Sequence, residues 1–226
     1  MNKRLFRTAL LDTVPVMTGY VFLGFGFGIL MQQNGFSVLW AGAMSLFIYA
    51  GSMQYVAISL LTSGASLLTA AATAFVVNAR HLFYGISMID AYKGAGKKKP
   101  YLIFALTDET YSLVSRQQKP DLGYCFLVSA FDHLYWISGT VLGSLAGSVL
   151  PINFEGIDFA LTALFVTIFV EQWLSTKDHR PALIGVAATL GCLLIFGSDV
   201  FLIPSMIAIS LLLTLMRRTG KEESHA

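Results

Sequence analysis

Four places in this chain set ionisable side chains inside apolar sequence: Asn78-Ala79-Arg80-His81, Thr107-Asp108-Glu109-Thr110, Asp132-His133 and Glu171-Gln172. Each residue type brings its own chemistry. Arg80 offers a planar fork of donors that clamps a carboxylate or pairs with a buried acid. Asn78 adds a donor and an acceptor. Asp108 and Glu109 are adjacent, so on a helix they point to different faces. At least one of them is expected to face an aqueous cavity or to pair with Arg80, and a carboxyl group in such a place is a candidate proton carrier. A plainer reading stands beside each: Arg80 snorkels at a helix end, and any single group serves as a structural contact. Four such places in 226 residues point to an aqueous path for a solute.

Backbone is the second source of chemistry. Ala50-Gly51-Ser52-Met53-Gln54 interrupts an apolar stretch, with Gly51 and Ser52 loosening the helix and Gln54 supplying donor and acceptor. A helix broken inside a membrane frees N–H and C=O groups. Its half-helix N-terminus attracts a carboxylate and its C-terminal end an ammonium or cation, and a zwitterionic amino acid needs both. The alternative is a polar contact between two helices. Glycine is dense elsewhere too. Gly139, Gly143 and Gly147 share one helical face, as close helix packing requires. Gly24, Gly26 and Gly28 alternate, which gives no single packing face and weakens the helix, so close packing and a helix that unwinds to offer backbone groups to a substrate both stand as readings.

The elements that must position these groups follow from charge. Residues 13–79 contain no Asp, Glu, Lys, Arg or His. A bilayer crossing takes roughly 20 apolar residues, so this stretch has room for about three. The hydrophobic fraction is 55%, charged residues make up 12%, and the mean hydropathy is +0.67, all outside the range of an ordinary soluble domain. A net charge of +2 gives no reason to expect a nucleic-acid partner. Cys125 and Cys192 both lie in apolar runs, as small buried fillers do. Lys3, Arg4 and Arg7 before an apolar run resemble a secretory leader, but the run is too long and lacks a cleavage site, so an uncleaved first span is expected.

Eight apolar segments are expected: Thr13–Met31, Val38–Leu61, Ser66–Met88, a short Tyr101–Ser115, Tyr124–Val149, Asp158–Leu174, Pro181–Gly197 and Val200–Met216. In lipid they must be helices, because backbone groups there are satisfied internally. The fold class is therefore all-α, a single polytopic permease domain over residues 1–226 with about seven or eight transmembrane helices, some broken. Lys3, Arg4 and Arg7 place the N-terminus inside, and Arg217, Arg218 and Lys221 the C-terminus. Eight crossings also put Arg116/Lys119 and Lys177/Arg180 inside, but leave Lys93, Lys97, Lys98 and Lys99 outside. Either the third segment is a hairpin, or Tyr101–Ser115 does not fully cross. A weak echo at an offset of 118 matches Phe47 with Phe165, Gln54 with Gln172 and Tyr55 with Trp173, which is either chance or a repeat with halves about 1–117 and 118–226.

Soluble-enzyme motifs are absent: no phosphate-binding glycine loop with its lysine, no paired-cysteine zinc pattern, no His-Glu-x-x-His helix. His81 and His133 are not at metal-ligand spacing, and no cofactor is implied. The sequence instead resembles the AzlC/YgaZ family of bacterial branched-chain amino acid exporters. The resemblance runs over about residues 8–216. It rests on Phe47-x-x-Ala50-Gly51-Ser52-x-Gln54, on Asn78-Ala79-Arg80-His81-Leu82-x-Tyr84-Gly85, on Thr107-Asp108-Glu109, and on Asp132, Tyr135-Trp136 and Gly139. Tyr55 departs mildly from the family's usual Phe. The resemblance implies a multi-pass transporter subunit of the cell inner membrane that exports leucine, isoleucine, valine or analogues, working with a separate small AzlD-type membrane subunit. Transport residues are then expected among Gly51, Ser52, Gln54, Asn78, Arg80, His81, Asp108, Glu109 and Asp132. The rival classes are a channel-like pore for another small solute and an intramembrane enzyme, for which no convincing nucleophile–base pair is present.

Overall fold

Small side chains decide the central packing. The structure, a computed structural model, describes residues 3–115, 121–149, 159, 162, 163, 166, 169, 170, 173, 174, 176–197 and 201–222. Arg116 and Lys119, most of the segment expected over Asp158–Leu174, and with it Phe165, Glu171 and Gln172, lie outside the described residues. Every regular element described is helical. Contacts divide the chain into two compact units, Met1–Thr162 and Ala163–Ala226. The first holds α1 (Lys3–Gln33), α2 (Val38–Phe47), α3 (Gly51–Thr62), α4 (Leu67–Ser87), a single 3₁₀ turn (Gly96–Lys98), α5 (Lys99–Phe104), α6 (Asp108–Val114) and α7 (Leu122–Val149). The second holds α8 (Arg180–Phe196) and α9 (Leu202–Glu222), which pack on each other.

Among the described residues, α1 and α7 are long and apolar enough to cross a bilayer unaided. At 1.5 Å per residue they run about 46 and 42 Å. They pack along each other with almost no side chain between them. A Cβ on Gly24 would stand 2.8 Å from the Trp136 carbonyl oxygen, and one on Gly139 would stand 2.6 Å from that of Val21. On Gly28 and Gly143 it would overlap the backbone of Thr140 and Phe25. Lipid tails give helices no hydrophobic reason to associate, so close backbone approach supplies the attraction. This keeps α1 continuous through Gly24–Gly28: of the two readings packing holds and unwinding does not occur, because Gly24 and Gly28 face α7.

The contacts Val21–Gly139, Phe25–Gly143 and Ile29–Gly147 ascend together, so α1 and α7 are parallel, and in each pair the second number exceeds the first by 118.

Two expected spans are broken. Val38–Leu61 becomes α2 and α3, parted at Ile48–Ala50, where Tyr49 takes a left-handed φ of +44°. The expected break spans Ala50–Gln54; the observed one takes in Ala50 but otherwise falls before that stretch, and Gly51–Gln54 form the first turn of α3. Tyr101–Ser115 becomes α5 and α6, parted at Ala105–Thr107. Their six and seven residues are each too short to span alone. Thr107 caps α6, its hydroxyl accepting from the Thr110 N–H at 3.3 Å, with Asp108 and Glu109 in the first turn where the helix dipole favours acids. The third segment is one unbroken helix, α4, so the hairpin alternative does not hold.

Candidate functional site

Both breaks open onto one cleft of about 260 Å³. Its walls are Ile48, Tyr49 and Ala50 from the first break, Ile103, Phe104 and Leu106 from α5 and the second break, and Asn78, His81, Leu82 and Gly85 from α4. The α4 positions follow the i, i+3, i+4, i+7 spacing of one helical face. Most of the wall is apolar, with polar groups from Asn78, His81 and the interrupted backbone, the usual make-up of a small-molecule site. The Asn78 Oδ1 is buried without a hydrogen-bond partner, an acceptor held ready in that wall. The volume lies just under the roughly 300–1,000 Å³ of drug-sized pockets, so a small metabolite is the natural size class.

Arg80 is off that face and ties the two breaks together from α4. Its Nη2 donates to Ser52 Oγ in the first turn of α3 at 2.9 Å. Its Nη1 lies 2.9 Å from Asp108 Oδ2 in the first turn of α6. One guanidinium thus bridges the N-terminal ends of two half-helices. The pairing of Arg80 with an acid of the Asp108-Glu109 motif is the one expected from sequence. Glu109 turns elsewhere and takes a 2.6 Å hydrogen bond from Tyr20 on α1.

Gln54 and Gly51 lie against α7. Gln54 is fully buried, donating to Ser45 Oγ at 3.1 Å and accepting from the Trp136 indole N–H at 2.9 Å. Ser45 donates on to Thr140 Oγ1 at 2.8 Å. This polar brace joins α2, α3 and α7 in an otherwise dry region. A Cβ on Gly51 would stand 3.1 Å from the Trp136 ring, so that glycine makes room for the indole.

Asp132 sits near the middle of α7 and not near its start, with no exposure to solvent. Its Oδ2 accepts from Thr110 Oγ1 at 2.8 Å, and its Oδ1 has no hydrogen-bond partner. His133 beside it is stacked on Tyr49 with ring centroids 4.2 Å apart. Its Nε2 lies 3.2 Å from the Ser45 carbonyl oxygen. A carbonyl only accepts, so Nε2 carries the proton. That carbonyl is available because the break redirects the Tyr49 N–H to Met44 O at 3.4 Å. Tyr101 Oη lies 3.3 Å from the other ring nitrogen.

Nothing in the residue pattern marks Tyr20, Ser45, Tyr49, Tyr101 or Thr140 as members of a polar site. Hydroxyl residues are common in apolar helices, and their alignment is visible only once α1, α5 and α7 are in place. Thr107 did carry a signal. A threonine followed by two acids at the end of an apolar run marks a helix start.

The AzlC protein family model matches residues 15–150. The chain is 44% identical to the branched-chain amino acid transport protein AzlC of Bacillus subtilis, over 96% of this chain and 89% of that protein. It is 43% identical to an uncharacterized membrane protein of Haemophilus influenzae, over 93% and 88%. It is 30% identical to the inner membrane protein YgaZ of Escherichia coli, over 85% and 81%. No solved structure matches it. The matched span of the family model contains α7, α1 from Pro15 onward, both helix breaks and every residue of the cleft, and the chain is a membrane protein of the AzlC family.

Proposed function

We propose that this chain is the large subunit of a branched-chain amino acid exporter in a bacterial inner membrane, with the cleft between the two helix breaks as its substrate site. The observation that carries the reading is the composition of that cleft: two interrupted backbones, one unpartnered amide oxygen, and walls of Ile48, Leu82, Ile103, Phe104 and Leu106. The apolar walls suit an aliphatic side chain, and about 0.8 kcal/mol per buried methylene favours leucine over alanine. Asn78 Oδ1 accepts from the substrate ammonium. The first-turn N–H groups of α3, at Gly51 and Ser52, face the carboxylate. Arg80 holds the ends of α3 and α6 together and so sets the width of the cleft, with Asp108 as its counter-charge, and His81 completes the wall. The name of the Bacillus subtilis relative supports the substrate class.

The finer topology belongs to the same proposal. Seven or eight helices cross, two of them as the broken pairs α2–α3 and α5–α6, and a small AzlD-type subunit completes the transporter. Three crossings between α1 and α7 agree with their parallel packing and put Arg116 and Lys119 on the side of Lys3, Arg4 and Arg7. The shared number 118, both the α1–α7 register and the offset of the sequence echo, supports a repeat.

The test is counterflow of labelled leucine in proteoliposomes, with and without the small subunit. Saturable counterflow, competed by isoleucine and valine and not by glycine, is expected. Flux that never saturates identifies a pore instead, and no flux of any branched-chain amino acid with both subunits present sinks the substrate reading.

A further inference from the structure

Glu109 and Asp132 lie on different helices and are joined by three hydroxyl groups in a row. Tyr20 Oη is 2.6 Å from Glu109 Oε2 and 2.6 Å from Thr107 Oγ1. Thr107 Oγ1 is 3.2 Å from Thr110 Oγ1, and Thr110 Oγ1 is 2.8 Å from Asp132 Oδ2. Tyr20, Thr107, Thr110 and Asp132 are all buried, while Glu109 is only partly so. We propose that this row is a proton wire, that Glu109 and Asp132 share one exchangeable proton through it, and that this proton couples solute movement to the proton gradient.

Counting donors supports the assignment. Each hydroxyl has one proton and two lone pairs. With Glu109 protonated, every bond can point the same way: Glu109 donates to Tyr20, Tyr20 to Thr107, Thr107 to Thr110, and Thr110 to an ionised Asp132. Thr107 then also accepts the Thr110 N–H, which fills both its lone pairs. With Asp132 protonated, the whole row reverses and is again complete. With both acids ionised, two ends demand a donor and three hydroxyls in line cannot serve both without leaving one link broken. With both protonated, five protons meet four links, two donors converge on one hydroxyl, and that hydroxyl's own proton is left with no acceptor in the row. A buried chain of this kind is costly when partly satisfied, so the row is matched to a single proton.

Transfer needs no co-reactant. The Glu109 O–H bond breaks as the proton binds Tyr20 Oη. The phenol's own proton passes to Thr107 Oγ1, that of Thr107 to Thr110 Oγ1, and that of Thr110 to Asp132 Oδ2. Four O–H bonds break and four form, and one negative charge moves from Asp132 to Glu109. The longest link, 3.2 Å between Thr107 and Thr110, starts at the α5–α6 break, which also lines the cleft through Leu106. A solute that shifts this break therefore opens or closes the wire. Asp108 is not a link of the row and is held by Arg80. The other titratable and charged groups around the row are Asp108 and Arg80 beside Glu109, Tyr84 on α4, Tyr49 at the first break, Tyr101 on α5 and His133 on α7.

Thr110→Val removes one hydroxyl and leaves both acids and the backbone cap of α6, and Thr110→Ser restores the hydroxyl. This inference rests on the transport reading above, so one readout is independent of substrate. Infrared spectra of the reconstituted full chain should show the carbonyl stretch of a protonated carboxylic acid that changes in both Glu109→Gln and Asp132→Asn. Leucine flux driven by a pH gradient should fall in Thr110→Val on the order of a hundredfold, the usual worth of an assisted proton transfer. Leucine–leucine exchange, which moves no net proton, should persist, and Thr110→Ser should recover the driven flux. Unchanged driven flux in Thr110→Val overturns the wire, as does a spectrum without a shared protonated acid. If the infrared changes appear and no variant moves leucine, the wire stands and the substrate assignment fails.

Discussion

Arg80 on α4 holds Asp108 at 2.9 Å across the α5–α6 break, while its second terminal nitrogen holds Ser52 at the α2–α3 break. Two half-helices begin at these points, and one side chain fixes the distance between them. A single ammonium cannot make both contacts with the same geometry. Arg80→Ala is therefore expected to abolish transport at normal abundance in the membrane, and Arg80→Lys to restore little of it. The measurement is leucine flux normalised to the amount of inserted protein. Wild-type flux from Arg80→Ala would reduce the residue to an interfacial anchor.

The α1–α7 interface makes a sharper structural prediction. A methyl group on Gly143 meets the backbone of Phe25, which cannot swing aside as a side chain would. Gly143→Ala should lower stability by roughly 1–3 kcal/mol, the usual cost of overpacking. Gly19, on the same helix as Phe25, has nothing within 4 Å of a built Cβ. Gly19→Ala should be neutral or stabilising by up to about 1 kcal/mol, since alanine loses less freedom in a helix. Thermal unfolding of the two variants in one detergent decides it, and equal melting temperatures would mean that α1 and α7 do not approach so closely.

His133 makes the third. Its Nε2–H serves the Ser45 carbonyl that the helix break leaves exposed. His133→Phe keeps the aromatic stack on Tyr49 but strands that carbonyl, at a cost of about 1–3 kcal/mol. Nitrogen-15 spectra of the wild type should show a proton on Nε2. A melting temperature in His133→Phe equal to that of the parent would show that the carbonyl has another donor.

Charge made much of this site legible, and silence hid the rest. Arg80, Asp108, Glu109 and Asp132 are conspicuous because apolar sequence surrounds them, and a pairing of Arg80 with one of the two adjacent acids follows from the cost of leaving either charge alone in lipid, while only the packing selects Asp108. The break in the second segment was signalled by Gly51, yet the residue that takes the left-handed conformation is Tyr49, for which no sequence rule speaks. Gly51 is helical and small for a different reason, the indole of Trp136. Alternating glycines at 24, 26 and 28 read as weakness because the sequence does not show which helix lies opposite. Once α7 lies there, Gly24 and Gly28 are one contact line four residues apart. The hydroxyl row escaped notice because Tyr20 is 87 residues from Thr107, and only the packing of α1 closes that distance.

Gly85 separates the cleft from its scaffold. It lies on the cleft face of α4, and a Cβ built there meets nothing within 4 Å. Gly85→Leu therefore adds a side chain directed into the proposed binding space without displacing a neighbour. Gly51→Leu also adds bulk near the first break, but drives it into Trp136 and so into the Gln54–Ser45–Thr140 brace. The two variants should part company. Gly85→Leu should keep the parent's melting temperature and lose leucine binding by about tenfold or more, which corresponds to about 1.4 kcal/mol. Alanine, which needs less room, should lose less, so the preference for leucine over alanine should shrink. Gly51→Leu should lose stability and binding together. A titration of leucine, valine and alanine against both proteins, alongside thermal unfolding, reads all four quantities. Parent-like leucine binding by a stably folded Gly85→Leu would place the substrate outside this cleft.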